Sequence, residues 1–182
     1  MNKNLKKFLE ELKQAGYNEV SYEEENNVID FSECKRRELH LEEIDEDEYG
    51  IEGTKFILGD NFKFSCIEIN EIDIRAGNNC KIHVQEGEAS IIAGNNCNIT
   101  LAFGYSLIIG NENNLECVSI NYIEFGDNNH IEVEELVSNS KGGNNNNIII
   151  KDDMGEIGFE DTKMNLGIDN NLKIGKFTIN MK

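Results

Sequence analysis

The phrase Ala-Gly-Asn-Asn-Cys occurs at residues 76–80 and again at 93–97, seventeen positions apart. Variants flank it on both sides: Leu58-Gly59-Asp60-Asn61, Ile109-Gly110-Asn111, Phe125-Gly126-Asp127-Asn128 and Gly142-Gly143-Asn144-Asn145. Successive starts lie 18, 17, 16, 16 and 17 residues apart. A last copy, Gly167-Ile168-Asp169-Asn170-Asn171, follows a longer gap holding "KDDMGEIGFEDTKMN", which reads as an insertion near 151–166. A unit this short cannot bury its own apolar face, so copies must stack on one another.

Gly and Asn tolerate the left-handed backbone that a sharp corner needs, and the positions after them alternate as a strand does. Cys80, Ile82 and Val84 share one parity, and Cys97, Ile99 and Leu101 repeat it. Each coil then turns at Gly-Asn-Asn, runs a short strand, turns again and returns through groups such as "SIIA" and "SLIIG". Stacked coils pair each strand with its equivalent about 4.8 Å away and bury one continuous core. The expected fold is therefore mainly β, a single-stranded parallel β-helix (β-solenoid) with coils of about 17 residues. An antiparallel meander is the competing fold, but it does not require the Gly-Asn-Asn corner at alternate turns only.

Residues 1–56 read as a small N-terminal cap and 57–182 as the solenoid. Leu5, Phe8, Leu9 and Leu12 share one helical face over 4–15, with Gly16 placed to end the helix. "NEVSYEEENNVIDFSE" predicts two short strands around the turn at Asn26-Asn27. This unit would shield the open edge of the first coil, as a solenoid end requires.

Ala76-Gly77-Asn78-Asn79-Cys80-Lys81 and Ala93-Gly94-Asn95-Asn96-Cys97-Asn98 resemble the hexapeptide units of left-handed β-helices: an apolar residue, a glycine, then a small residue at the fifth place. The similarity covers about one hexapeptide per coil in residues 58–150 and points to no specific family. It implies acyl transfer as the enzyme hypothesis, with a histidine acting as general base. His83 has outward parity in mid-strand, His40 lies in an acidic stretch, and His130 is the one histidine beside a corner. No Asp-His or Ser-His pair occurs along the chain, so His130 is at most the residual base of a degenerate enzyme. No catalytic residue, cofactor or metal is expected.

The chain carries 35 acidic and 17 basic residues, a net charge of −18. Direct contact with nucleic-acid phosphates or anionic lipid is disfavoured, whereas a basic protein partner is admitted. The densest acidic run is 38–52, "ELHLEEIDEDEYGIE", with Glu42, Glu43, Asp45, Glu46, Asp47 and Glu48 as the candidate partner-binding residues. A solvated loop or exposed edge is the plainer reading. Calcium is excluded there, because Tyr49 and Phe56 fall where ligands are required. Mimicry of nucleic acid is a further alternative, but residues 92–108 contain no Asp or Glu and so break any continuous track of charge.

Cys34, Cys66, Cys80, Cys97 and Cys117 are odd in number and contain no C-x-x-C pair, which argues against a disulfide framework or zinc ribbon and for a reducing, cytoplasmic setting. Cys80 and Cys97 hold equivalent inward places, with Cys117 in a nearby one. No apolar run reaches membrane-spanning length. The reading is a non-catalytic interaction or structural module, with Val118 and Ile120 the apolar residues whose parity exposes them on the outer faces.

Overall fold

A computed structural model describes residues 3–43, 51, 53–136, 140–151, 164–174 and 177–181. Helix α1 (Lys3–Gln14) buries Leu5, Phe8, Leu9 and Leu12. It ends in a Schellman motif: the Tyr17 amide donates to Leu12 O, the Gly16 amide donates to Lys13 O, and Gly16 takes a φ of +99°. Strands β1 (Ser21–Glu23) and β2 (Val28–Asp30) form an antiparallel hairpin with Asn27 at positive φ. They are followed by β3 (Glu38–Glu43), β4 (Lys55–Leu58), β5 (Lys63–Ala76), β6 (Lys81–Ala93), β7 (Asn98–Ile109), β8 (Asn114–Phe125), β9 (His130–Leu136), β10 (Ser140–Gly142), β11 (Asn147–Ile150), β12 (Met164–Leu166), β13 (Asn170–Ile174) and β14 (Phe177–Met181).

The stack is a parallel β-solenoid whose coils carry two strand legs. The first legs pair in parallel from β3 through the starts of β5, β6, β7 and β8 to β9, β11 and β13. The second legs pair in parallel from β2 and β4 through the ends of β5 to β8, then β10 and β12. Each wall is blunted at one end by an antiparallel strand, β1 on β2 and β14 on β13. An unpaired edge would invite strand addition from another chain. No helix among the described residues is long and apolar enough to cross a membrane.

Alternation along each leg builds the core. One inward row of the first leg stacks Leu39, Phe64, Ile82, Ile99, Leu115, Ile131, Ile148 and Leu172; all are buried. An inward row of the second leg stacks Ile29, Phe56, Ile74, Ile91, Leu107 and Ile123. At the N-terminal end the core is aromatic: Phe31 meets Tyr17 edge-on at 5.7 Å and Phe56 at 6.0 Å. There the helix packs into the same cluster as the coils.

The corners explain the repeated phrase. The residue two places after its glycine has left-handed φ in each copy, at Asn61, Asn79, Asn96, Glu112, Asn128, Asn145 and Asp169. Its glycine is required by close approach: a Cβ on Gly94 would overlap Asn78 Oδ1 of the coil before. Two columns of side chains run beside these glycines. In the exposed column, Asn78 Oδ1 accepts from the Asn95 amide (2.9 Å), Asn95 Oδ1 from that of Asn111 (2.7 Å) and Asn111 Oδ1 from that of Asp127 (2.7 Å). In the buried column, two places on, the bonds run the other way. The Cys97 amide donates to Asn113 Oδ1 (2.7 Å), that of Asn113 to Asn129 Oδ1 (2.8 Å), that of Asn129 to Asn146 Oδ1 (2.7 Å) and that of Asn146 to Asn170 Oδ1 (2.8 Å).

Two expectations need correction. Cys117 does not belong with Cys80 and Cys97: it stacks on Leu101 and Val133, while the row of Cys80 and Cys97 continues into Asn113. Ile120 is fully buried instead of exposed, because the alternation shifts where the strand passes from the first leg to the second: Cys117 and Ile120 are both buried, with Val118 and Ser119 between them. Val118 is exposed, as its parity suggested.

Candidate functional site

The acidic stretch begins as a regular strand. Glu38 to Glu43 pair in parallel with β5 as the first rung of the first-leg wall, and His40 and Leu41 alternate outward and inward. Lys63 Nζ lies 3.8 Å from Glu38 Oε2, and the Tyr17 hydroxyl donates to Glu38 O. Of the six candidate residues, Glu42 and Glu43 close this strand, their side chains being outside the described residues. Asp45, Glu46, Asp47 and Glu48 also lie outside the described residues.

The structure brings together a pair that the linear sequence keeps apart. His40 Nδ1 is 2.7 Å from Ser65 Oγ, because β3 aligns His40 on Ser65 across 25 positions. The same outward row continues through His83, Thr100, Glu116 and Glu132. Alternation in "ELHLE" was the available signal for this strand, masked by the density of carboxylates. The pair sits on an exposed sheet face. Nothing in the described contacts supplies an oxyanion site or a third group that orients the imidazole, and a nucleophile needs both.

His130 is occupied. Asn147 Oδ1 accepts from Asn171 Nδ2, which turns Asn147 Nδ2 to donate to His130 Nδ1 at 2.8 Å, while Nε2 stands 3.9 Å from Glu132 Oε2. Glu132 is itself bound by Lys151, whose ammonium holds that carboxyl below the usual range. His130 therefore has no open acceptor nitrogen with which to take a proton from a substrate.

A shallow recess of about 190 Å³ lies on the first-leg face between Thr100, Glu116, Val118, Glu134 and Lys151, with Cys117 beneath. Burial pushes the Cys117 thiol up to about 12, so it offers no thiolate at neutral pH. Cys80 and Cys97 are both buried, and the hydrogen bond between them lowers the Cys80 thiol to about 7. Cys97 is pushed up by its hydrogen bond with Cys80 and by burial. Both thiols donate to corner carbonyls, Cys80 to Gly59 O at 3.2 Å and Cys97 to Gly77 O at 3.3 Å. These are the bonds that the side-chain Nδ2 of Asn170 makes to Gly143 O (3.0 Å) farther along the same column. Among the described residues no three His, Cys, Asp or Glu side chains gather as a metal would require.

The outward faces are rich in carboxylates held in register. Glu68 pairs with Glu86, Glu71 with Glu88, and Glu116 with Glu132 on successive coils. Neither Glu68 nor Glu86 meets a cation among the described residues, and like charges directly opposite in a sheet are destabilising. No family model, curated protein or solved structure matches the chain.

Proposed function

We propose that the protein is a non-catalytic, acidic solenoid that acts through its surface as an interaction or structural module for a basic protein partner. The observation that carries this reading is the stacking of like-charged glutamates, Glu68 on Glu86, in a chain of net charge −18. Such pairs cost stability in the isolated molecule, and a cationic partner would relieve that repulsion. The acidic strand and the residues after it, from Glu42 to Glu48, would extend the same field from the first rung. Acyl transfer draws no support from His130, whose acceptor nitrogen is taken. Nucleic-acid mimicry is weakened by the coil 92–108, which has no carboxylate and exposes Phe103, Tyr105 and Ile108.

The test begins with capture of a partner from the native cell and continues with its association kinetics. Replacing Glu42, Glu43, Asp45, Glu46, Asp47 and Glu48 by Asn or Gln should slow association by about tenfold and flatten its salt dependence. Dissociation and thermal stability should change little, because exposed charges contribute little to folding. Unaltered association at both low and physiological salt would remove the acidic stretch from the binding surface.

A further inference from the structure

The outward face of the second legs carries a self-complementary pattern. Read along the stack, one row runs Arg75, Ile92, Ile108, Glu124, and the row beside it runs Asp73, Ser90, Ser106, Tyr122. Ile92 is 44% exposed and Ile108 41%, and they are register partners on adjacent coils. Phe103 and Tyr105, still more exposed, belong to the same strand as Ile108. The apolar centre thus coincides with the one coil that has no acidic residue, with charges above and below it.

We propose that this face docks a second copy of the chain about a two-fold axis that runs parallel to the strands, between the Ile92 and Ile108 rungs. Such an axis reverses the order of coils and preserves the rows, so residue i meets j while j meets i. Ile92 then faces Ile108 of the second copy. Arg75 faces Glu124, Asp73 faces the Tyr122 hydroxyl, and Ser90 faces Ser106. On these four rungs Arg75 meets an opposite charge, and Asp73 meets the Tyr122 hydroxyl, whose single proton turns to it from Glu124 once the guanidinium binds that carboxylate; one rung farther out on each side, Lys55 and Ile57 face the rung of Ser140 and Lys141. Arg75 is exposed and makes no hydrogen bond or ion pair among the described residues. Glu124 already accepts from Lys141 Nζ at 2.7 Å and the Tyr122 hydroxyl at 3.2 Å, and a carboxylate has about four lone-pair sites, so it has capacity for a guanidinium.

Charge decides between this occupant and the basic partner proposed above. Arg75 and Lys141 lie in the row itself and Ile92 and Ile108 offer a cation nothing, so a basic protein finds repulsion at the edges and no anchor at the centre. A second copy is repelled by −18 over most of its surface, but at physiological salt charges are screened beyond about 8 Å, and the contact is confined to the neutral coil and its neighbours. The footprint sets the strength. Six rungs about 4.8 Å apart, with legs of about six residues rising about 3.3 Å each, enclose about 500 Å² per copy. About 1,000 Å² in total stands at the lower limit for specific interfaces, which predicts a dimer with Kd of order micromolar.

Sedimentation equilibrium of the whole chain at physiological salt, from about 1 to about 500 micromolar, should follow a monomer–dimer equilibrium. Arg75→Glu and Glu124→Arg should each weaken it at least about tenfold, and the double exchange should return it to within about threefold of the parent. A monomer throughout, indifference to both single reversals, or failure of the double exchange to recover would overturn the proposal. Should the charge variants fold poorly, a second measurement decides. A Ser90→Cys chain mixed with a Ser106→Cys chain under air oxidation should yield more covalent dimer than either chain alone. No enrichment in the mixture would exclude this axis.

Discussion

Two columns of short polar side chains climb the same corner of this solenoid, two residues apart, and they differ chiefly in their access to water. In the exposed column the Oδ1 of Asn95 reaches forward to the Asn111 amide, and solvent stands ready to replace it. In the buried column Asn113, Asn129, Asn146 and Asn170 are each 2% exposed, and each of the last three accepts the amide of the residue one coil earlier. The bond lengths are alike, so geometry alone would rank the columns equally. Their energetic weights differ because an unmet donor costs its full desolvation only where water cannot reach it. The buried column is therefore the device that fixes the coils in register, while the exposed column mainly shapes the corner.

The most direct way to break this comparison is to cut the buried column in its middle. Asn129→Ala removes the acceptor shared by the Asn113 amide and Asn113 Nδ2, at 2.8 and 3.1 Å, and the donor to Asn146 Oδ1 at 3.1 Å. One orphaned buried amide together with two lost side-chain bonds should cost about 3 kcal/mol. Urea unfolding should show the loss as a lower midpoint with an unchanged slope. A cost below about 1 kcal/mol would mean that water enters the column, and the distinction between the two would collapse.

A smaller effect, of opposite sign, is expected at the cysteine end. Cys97 occupies the place that asparagine fills in later coils, and its sulfur accepts the Cys80 amide at 3.4 Å, a weaker acceptor than an amide oxygen. Cys97→Asn would extend the column by one coil, giving the Cys80 amide an oxygen to bond and Asn113 Oδ1 a second donor. The two side chains are close in volume, so the substitution should stabilise by about 1 kcal/mol. Destabilisation would indicate that the cysteines are there for packing above Phe62, whose carbonyl accepts the Lys81 amide just below, and not as substitutes for asparagine.

The contrast also marks where the sequence was legible. The period, the corner and the inward parity of Ile82, Ile99 and Leu115 follow from residue type alone, because few residues accept positive φ and alternation is local. The buried column was not legible. Asn113, Asn129 and Asn146 sit beside Asn or Glu at the corner and look like more of the same turn chemistry, and only the register shows that they point inward and align with Cys97. The strand at Glu38–Glu43 was obscured because its charges suggested a solvated segment, and with it the contact of His40 with Ser65. Ile120 was misplaced because strict alternation does not carry across the passage between the two legs, where two residues instead of one separate the buried Cys117 and Ile120. The face carrying Ile92 and Ile108 shows the reverse: its residues are plain in the sequence, but their rows exist only once the coils are aligned.

The smallest effect belongs to the exposed column and completes the comparison. Asn95→Ala deletes the acceptor for the Asn111 amide but leaves the Asn95 amide bonded to Asn78 Oδ1 and the Asn96 amide bonded to Asn111 O at 3.0 Å. The freed Asn111 amide lies at an exposed corner, where a water can take the vacated position. The net loss should then be about 0.5 kcal/mol, the difference between a protein bond and a solvent bond. Removing Asn95 Oδ1 also takes away one of the atoms that a Cβ on Gly110 would overlap, the others being the carbonyl of Gly94. Gly110→Ala should therefore cost less in the Asn95→Ala background than in the parent, with a coupling of about 0.5 kcal/mol or more, measured by the same urea titrations in a double-mutant cycle. If Asn95→Ala proves as costly as Asn129→Ala, solvent access is not what separates the two columns, and both would have to be regarded as equal determinants of the register.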